Sequence, residues 1–350
     1  MTKSIRLSDV ARAAGVSLGT ASNVFNRPDI VRAEVREQVE RVARELGFSG
    51  PDPVGRLLMG GKANAIGVLP AGDMSVSFTI GSPYLSALLL GVAEVCDEHG
   101  ASLVVVSGAH DRKEWAIKNA LVDGFVLGQT DEIAMVKGRQ RAVPFAMIDV
   151  EGGPGIGSAL VDGRVGARKQ VEHLLALGHR RFAIMAVQRQ PVEPIWHPPT
   201  QEPRKLSGFP LDREKLAGYA EALGAAGIDI DAVPVVESHP PSPWAEAGAK
   251  LLLDNMGDAT AILAMSDRNA KAILEEAAKR GIRVPQDLSV IGFDDVAISA
   301  SLDPPLTTIR QDTVEKGRVA ARMIFGDLPM ERRTIPVELV VRASTAPPRG

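Results

Sequence analysis

Residues 7–26, LSDVARAAGVSLGTASNVFN, constrain the fold more than any other stretch of this chain. Ser8 is placed to cap a first helix, Gly15 to reverse the chain, and Ser17 to cap a second helix. Small residues on the inner faces let two such helices cross closely: Ala11, Ala14 and Ala21. This pattern predicts a helix-turn-helix, whose second helix enters the major groove of DNA. An ordinary helical hairpin is the alternative.

A third helix and a linker follow this pair. Apolar residues at helical spacing predict a helix over 32–46, which Gly47 ends. The next stretch, SGPDPVGRLLMGGKAN, contains prolines and glycines that exclude a long rigid element. We therefore predict a helix-turn-helix domain over 1–49 and a hinge over 50–62. Ten Lys and Arg against seven Asp and Glu give residues 1–62 a basic balance, whereas the whole chain has a net charge of −3. A basic head on an acidic body is typical of a modular DNA-binding protein.

Composition excludes several classes of protein. The 350 residues suit a small module and a larger body of one or two lobes. No apolar run approaches the roughly 20 residues that span a bilayer, and the first residues are polar rather than signal-like. We therefore expect a cytoplasmic protein with no membrane partner. The single Cys96 excludes an internal disulfide and is expected in the core.

From residue 65 onward, short apolar strands alternate with longer helical segments. Strands are predicted over 65–69, 103–107, 124–127, 145–148, 182–186, 261–264 and 289–293. Helices are predicted over 83–99, 133–141, 162–177, 212–226, 243–253 and 266–280. The alternation indicates an α/β body of two parallel sheets covered by helices, hence two lobes with a cleft between them. The segment 188–211 interrupts the pattern, either as a lid over the cleft or as a disordered loop.

Polar side chains follow several of the predicted strands. Ligands of parallel-sheet domains bind beyond the carboxyl ends of the strands, and four candidates lie there: Asp149, Ser266, Asp267 and Asp294. Carboxylates so placed accept hydrogen bonds from vicinal hydroxyls, which predicts a sugar or polyol ligand. A helix N-cap is the alternative role, and it is strongest for Asp267. The long loop after the first strand adds Asp73, Phe78 and Tyr84, although Tyr84 equally suits packing at the start of a helix.

Several motifs in the same order along the chain resemble the LacI/GalR family of bacterial transcription regulators. They are LSDVARAAGVSLGTASNVFN, the hinge segment LGFSGPDPVGRLL, VEHLLALGHRRFAIM, AILAMSDRNAKAILEEAAKRGIRVPQDLSVIGFDD, PPLTTIRQD and VELVVRAST. The resemblance implies two type I periplasmic-binding-protein-like subdomains joined by three crossovers. Their limits would be 63–161 with 311–338, and 162–310 with 339–350. It also implies an effector site in the cleft and binding of a pseudo-palindromic operator by a homodimer.

The resemblance also assigns candidate contacts to DNA. It places Leu18, Gly19 and Asn23 where base edges are read. Thr20, Ser22 and the backbone amide of Ser17 are better suited to phosphate contacts, which position a helix without reading sequence. For each of these residues a solvated helix face is the alternative. In the hinge the resemblance places Leu58 as the wedge that enters the minor groove, with Leu57 as the alternative. The family often has Arg at the position of Asn23, so this chain departs from the common pattern there.

The resemblance adds two candidates to the effector site. An Arg usually stands three residues before the Gly of the motif R-x-x-G-[YWF], and Lys215 occupies that place here, with Arg213 two residues earlier. Because Lys offers a point charge rather than a planar fork, the departure changes which ligand groups the position recognises.

Other functional classes lack their signatures. The glycines at 153, 155 and 157 do not have dinucleotide-binding spacing, and no metal-ligand spacing or catalytic constellation occurs. We therefore expect a regulator, most simply a repressor, controlled by a small carbohydrate effector, without catalytic activity, cofactor or metal. A solute-binding protein of the same body fold is the alternative, although it predicts a signal peptide and no basic head.

Overall fold

The computed structural model describes residues 5–26, 28–48, 50, 62–69, 74–108, 117–128, 143–200, 202, 206–240 and 243–349. The chain divides into two compact units, Met1–Ala63 and Asn64–Gly350. Leu57, Leu58, Asp73 and the helix predicted over 133–141 lie outside the described residues.

The first unit is helical throughout its described elements. The helices are α1 (Leu7–Ala13), α2 (Leu18–Asn26) and α3 (Ala33–Leu46), with a short 3₁₀ turn at Pro28–Ile30. Small and β-branched side chains make up the core: Val10, Ala11, Ala14, Ala21, Val24, Val39 and Ala43. Because these side chains are small, α1 and α2 pack closely, and the predicted helix-turn-helix is confirmed.

The two helix starts differ in how their first N–H groups are satisfied. The hydroxyl of Ser17 accepts a hydrogen bond from the backbone N–H of Thr20 at 3.0 Å, as predicted for an N-cap. The prediction that Ser8 caps α1 is wrong. The helix already begins at Leu7, and the carboxylate of Asp9 accepts from the backbone N–H of Arg6 at 3.0 Å. Asp9 stands one turn into the helix and reaches back to this donor, whereas Ser8 is part of the first turn.

The second unit contains two largely parallel sheets. Strands of the first sheet are β1 (Ala65–Leu69), β2 (Ser102–Val105), β3 (Gly124–Leu127), β4 (Phe145–Ile148), β5 (Gly157–Val161) and β12 (Arg332–Ile335). The second sheet is built from β6 (Phe182–Val187), β7 (Ile195–His197), β8 (Val235–Ser238), β9 (Ala261–Ala264), β10 (Ser289–Asp294), β11 (Thr307–Gln311) and β13 (Val337–Val340). Their orders are β12-β5-β4-β3-β1-β2 and β13-β11-β10-β9-β6-β8-β7. Only the edge strands β7 and β13 pair antiparallel in these described strands.

Helices cover both sheets. They are α4 (Val76–Gly81), α5 (Pro83–Glu98), α6 (Gly163–Ala176), α7 (Pro210–Ala225), α8 (Trp244–Asn255), α9 (Asp267–Lys279) and α10 (Thr313–Phe325). Helices α5 and α10 pack on each other, as do α6 with α7 and α8 with α9. The contact of α5 with α10 requires glycine at Gly91, because a Cβ there would collide with the carbonyl of Val314.

The chain passes between the two lobes three times. It leaves β5 through Asp162, leaves β11 through Asp312, and passes from β12 to β13 through Pro336. Asp162 and Asp312 both cap the helix that follows, by accepting the N–H of the third helical residue at 2.8 and 2.9 Å. This is the predicted body of two parallel-sheet lobes. The third passage lies at Pro336, whereas the resemblance placed it after residue 338.

The described part of 188–211 belongs to the second lobe. Ile195–His197 forms the edge strand β7 beside β8, and Trp196 packs against the hydrophobic core of this lobe. Within this segment, Ile195–His197 therefore extends the second sheet. None of the helices within the described ranges is long and apolar enough to cross a membrane.

Candidate DNA interface and effector cleft

Helix α2 separates a buried face from an exposed face. Ala21 and Val24 are buried in the core of the head, whereas the side chain of Leu18 is 55% exposed. Ser17 and Gly19 are also exposed, and Thr20, Ser22 and Asn23 are partly buried. The candidate DNA contacts thus lie away from the core, where an approaching groove meets them.

The hydroxyls of Ser17 and Thr20 form hydrogen bonds within the protein. Their oxygens lie 2.8 Å apart in a hydrogen bond, and the oxygen of Ser17 also accepts the N–H of Thr20. A hydroxyl has one donor and two acceptor positions. These two side chains therefore stabilise the start of α2. One hydroxyl donates its hydrogen to the other, and the hydrogen of the accepting hydroxyl is available to bind a phosphate.

A cavity of about 140 Å³ lies between the lobes, beyond the carboxyl ends of the strands. Six of the candidate effector residues line it: Phe78, Tyr84, Asp149, Lys215, Ser266 and Asp294. Met74, Ser82, Leu85, Val187, Phe209, Leu211, Asp212, His239, Pro240, Met265, Arg268 and Gln311 complete the lining. The position agrees with the rule for ligand sites of parallel sheets. We call it the cleft cavity.

Asp149 is held by a buried lysine that sequence reasoning missed. The ammonium of Lys316, on α10, lies 2.9 Å from Asp149 Oδ2 and is fully buried. It also donates to the oxygens of Tyr84 and Gln311, both at 2.7 Å, and Tyr84 donates to Asp149 at 2.6 Å. Burial lowers the pKa of Lys316, and the charge of Asp149 opposes that shift. All three ammonium hydrogens thus have acceptors within the fold.

The sequence carries a signal for Lys316. In TVEKGRVAARMIF this lysine falls on the same helix face as the buried Thr313, Gly317 and Ala320. A lysine on an apolar face needs a counter-charge, because an isolated buried ammonium is very costly. The sequence alone does not show that the counter-charge is Asp149, which lies 167 residues away.

Asp294 lines the cleft cavity at the end of β10. Burial raises its pKa to about 7, against the effect of the nearby Lys215. Its Oδ1 accepts a hydrogen bond from Nε2 of Gln311. The other amide atom of Gln311, Oε1, accepts a hydrogen bond from Lys316. Asp149 and Asp294 also have positive φ angles, 56° and 129°. Such angles are uncommon for residues other than glycine and often occur at functional sites.

Lys215 occupies the place of the usual family arginine, but its ammonium is already paired. It lies 3.3 Å from Asp212 Oδ1, donates to the carbonyl of Met265 at 2.8 Å, and sits 4.2 Å from the ring centroid of Phe293. Burial raises the pKa of Asp212, and Lys215 opposes this shift. The pair therefore forms part of the wall of the cleft cavity.

Two of the candidate effector residues, Arg213 and Asp267, do not line the cleft cavity. Arg213 donates to the carbonyl of Gly208 at 3.2 Å and does not line this cavity. Asp267 is fully buried and accepts from the N–H of Val296 and the hydroxyls of Ser299 and Thr308 at 2.5–3.0 Å. Burial raises its pKa to about 6, and these hydrogen bonds oppose that shift. Asp267 therefore fixes the loop after β10, while Ser266 caps α9 by accepting the N–H of Asn269.

Among the described residues, no group of three or more His, Cys, Asp or Glu side chains is arranged to hold a metal ion. The polar groups of the cleft cavity are instead carboxylates, hydroxyls, the amide of Gln311 and cations, from both lobes. This set suits a neutral or charged organic ligand.

A helix-turn-helix head followed by a two-lobed body with a polar cleft defines the class of ligand-controlled DNA-binding regulators. Residues 6–50 match bacterial regulatory proteins of the lacI family, and residues 171–345 match a periplasmic binding protein-like domain. The HTH-type transcriptional regulator Rv3575c of Mycobacterium tuberculosis is 33% identical over 362 residues, covering 98% of this chain and 97% of that protein.

Solved structures agree over nearly the whole chain. The lac repressor dimer bound to operator and the anti-inducer ONPF is 28% identical, with a TM-score of 0.79, covering 98% of this chain and 100% of that chain. The complex of the transcriptional regulator CelR with cellobiose is 27% identical, with a TM-score of 0.66, covering 97% and 99%. This chain belongs to the lacI family of bacterial regulatory proteins. It is a DNA-binding transcriptional regulator that a small-molecule effector controls.

Proposed function

We propose that this regulator is a repressor that binds a pseudo-palindromic operator as a homodimer, and that a sugar or sugar derivative in the cleft cavity controls it. The similar lac repressor structure is a dimer on its operator, and the similar CelR structure holds cellobiose. The observation that carries the proposal is the position of Asp294, Gln311 and Ser266 around one cavity. These groups accept and donate hydrogen bonds, as ring hydroxyls require.

On DNA, the exposed face of α2 enters the major groove. In the proposed complex Leu18, Gly19 and Asn23 face base edges. Leu18 and Gly19 lie at the exposed start of this helix, and the partly buried Asn23 lies further along it. Asn pairs with adenine through two hydrogen bonds, and a leucine side chain contacts the thymine methyl group. The nearby Ser17, Thr20 and Ser22 hold phosphates, which position the helix without reading sequence.

The hinge supplies the second contact to DNA in this proposal. Leu58, or else Leu57, wedges between base pairs in the minor groove. Unstacking one step costs a few kcal/mol, which the wider contact of the bent DNA offsets.

In this proposal, effector binding changes operator affinity by changing the arrangement of the two lobes. A ligand in the cleft cavity contacts residues of both lobes at once, for example Tyr84 of the first and Ser266 of the second. A ligand of this kind favours one arrangement of the lobes over another. We propose that this change separates the paired hinges of the dimer and alters operator affinity by about 5- to 150-fold, the range of ordinary allosteric coupling.

The helix-turn-helix head argues against the alternative of a solute-binding protein, since such a protein has no use for a DNA-reading face. We propose that the protein has no catalytic activity and no cofactor, and that it works in the cytoplasm, where the DNA is.

The test combines operator binding with effector binding in the full chain. Fluorescence anisotropy on operator DNA is measured with and without each member of a panel of sugars, polyols and purines. Asp294→Ala should abolish the effector response and leave operator affinity unchanged without effector. The control is Asp258→Ala, because this carboxylate is 84% exposed and pairs with Arg181 on the surface. A retained response in Asp294→Ala would remove the cleft cavity from the proposal.

A further inference from the structure

We infer that the effector carries an anionic group, a carboxylate or a phosphate, and that Arg268 binds it. This inference rests on the proposed function, because it takes the cleft cavity as the effector site. The anion would be attached to a ring of sugar size, as in a sugar acid or a sugar phosphate.

Among the described residues that line the cleft cavity, Arg268 is a cation that forms no ion pair. Lys215 pairs with Asp212, and Lys316 beneath the cavity pairs with Asp149. Arg268 lines the same cavity and is half-buried, but no residue in the described part of the chain forms an ion pair or hydrogen bond with its guanidinium. A half-buried charge without a partner destabilises the effector-free protein, and an anionic ligand group removes that cost.

An aromatic contact holds Arg268 without using its hydrogens. The guanidinium carbon lies 5.7 Å from the ring centroid of Phe78, and this ring stacks on His239 with 6.2 Å between centroids. A cation over an aromatic face is attracted by the π system, so the N–H donors of the arginine stay available. A guanidinium with available donors binds carboxylate and phosphate through two parallel hydrogen bonds.

The neighbouring charges favour an anion near Arg268. Burial lowers the pKa of Arg268, and the charge of Asp294 opposes this shift. Asp294 is only partly ionised near neutral pH, because burial raises its pKa to about 7. Asp294 therefore compensates the positive charge of Arg268 only in part. Burial also lowers the pKa of His239, which keeps the stacked ring neutral.

The size of the cleft cavity limits the rest of the ligand. Its volume of about 140 Å³ is close to that of an engineered cavity of roughly 150 Å³ that holds one benzene ring. One six-membered ring fits in this state, with Asp294 and Gln311 facing its hydroxyls. Arg268 also borders a second cavity of about 200 Å³, but the carboxylates of Glu246 and Glu275 line that cavity, so we place the anionic group in the cleft cavity.

The experiment compares matched ligands on the full-length protein. Isothermal titration and operator anisotropy are run with glucose, galactose and mannose, with their 6-carboxylates, and with their 6-phosphates. Inorganic phosphate tests whether the anion alone suffices. We expect at least one acid or phosphate to bind at least tenfold more tightly than its neutral sugar and to change operator affinity. The carboxylate and phosphate arms show which anion is preferred.

Variants then assign the anion to Arg268. Arg268→Gln should weaken binding of the preferred anion about 10- to 100-fold, as expected for hydrogen bonds to a charged group, and leave the neutral sugar unaffected. Arg268→Lys should recover part of the loss, because it keeps the charge without the planar fork. Lys279→Gln is the control, since this lysine is at the far end of the same helix and pairs with Glu276 at the surface.

The outcomes separate this inference from the proposed function. Neutral sugars that bind as tightly as their acids and still change operator affinity would overturn the anionic effector and keep the sugar-controlled repressor. If no sugar of either kind binds, both fail. If Arg268→Gln weakens acid and neutral sugar equally, Arg268 does not bind the anion, and the inference is wrong.

Discussion

At the scale of single residues, the cleft is built from buried charges that satisfy one another. Lys316 meets three acceptors, and two of these, Asp149 and Tyr84, are also bonded to each other. A buried pair adds little net stability, because desolvation offsets its attraction, but removing one partner leaves an uncompensated charge. The pair therefore fixes the orientation of Asp149 and Tyr84 more than it strengthens the fold.

Replacing Lys316 tests this arrangement. Lys316→Met leaves the carboxylate of Asp149 buried without its cation, so we expect the free energy of unfolding to fall by about 3–5 kcal/mol. Urea unfolding measures it. Arg318→Met is the matched control on the same helix, because its surface pair with Glu94 is partly exposed and worth about 0–1 kcal/mol. Adding Asp149→Asn to Lys316→Met should restore part of the loss, and equal losses in Lys316→Met and Arg318→Met would contradict this account.

Sequence reasoning found the residues of the site that directly follow strands. Asp149, Ser266 and Asp294 were predicted from that position, since the carboxyl ends of parallel strands share one edge of the sheet. Lys316 and Arg268 were not predicted, because they reach the cleft from helices. Asp267 is the next residue after Ser266 beyond the same strand, but its carboxylate is directed into the loop after β10. Ser266 lines the cleft cavity and Asp267 does not, because their side chains point in different directions.

At the scale of elements, α2 shows how a pattern of small residues specifies a face. Ala21 and Val24 are buried on one side of the helix, and Leu18 is exposed on the other. Single exposed leucines are common on protein surfaces, so it is the position of Leu18 at the start of the second helix of a helix-turn-helix that makes it a candidate DNA contact.

Leu18→Ala is expected to weaken operator binding without destabilising the head. The change removes a side chain that is 55% exposed, so the free energy of unfolding should change by no more than about 0.5 kcal/mol. Operator affinity, measured by anisotropy, should fall. Leu46→Ala is the control, because Leu46 is another exposed leucine of the head and lies at the end of α3. If both variants bind operator like the parent, Leu18 lies outside the DNA interface.

At the scale of the whole molecule, the cleft cavity exists because the chain passes between two sheets. Gln311 ends the last parallel strand of the second sheet, and Lys316 lies about one turn into the helix that packs on the first sheet. Through the hydrogen bonds of Gln311, Asp294 of one lobe is linked to Lys316 and Asp149 of the other. The ionisation of Asp294 therefore affects both lobes.

The stability of the protein should depend on pH through Asp294. Its pKa is about 7 in the folded chain, against about 3.9 for an unperturbed aspartate. Between these values the folded state binds more protons than the unfolded state, so this group's contribution to stability falls as pH rises from about 4 to about 7. Above pH 7 the contribution is constant.

Urea unfolding at pH 5 and pH 8 measures this effect. The parent should lose more stability between the two values than Asp294→Asn, which has no proton to release. Asp267 and Asp212, whose pKa values burial also raises, are present in both proteins and largely cancel in the comparison. Equal pH dependence in the two proteins would contradict the assignment.

The sequence by itself determined the helix-turn-helix, the alternation of strands and helices, and the edge of the sheets where the site lies. These features depend on local periodicity and on the positions of glycine, proline and capping residues, all of which can be read from short stretches of chain. Only the tertiary structure decided that Lys316 neutralises Asp149, that Asp267 stabilises the loop after β10, and that Arg268 forms no ion pair with a described residue. Charges interact through space, and the partners of a buried charge come from parts of the chain far apart in sequence.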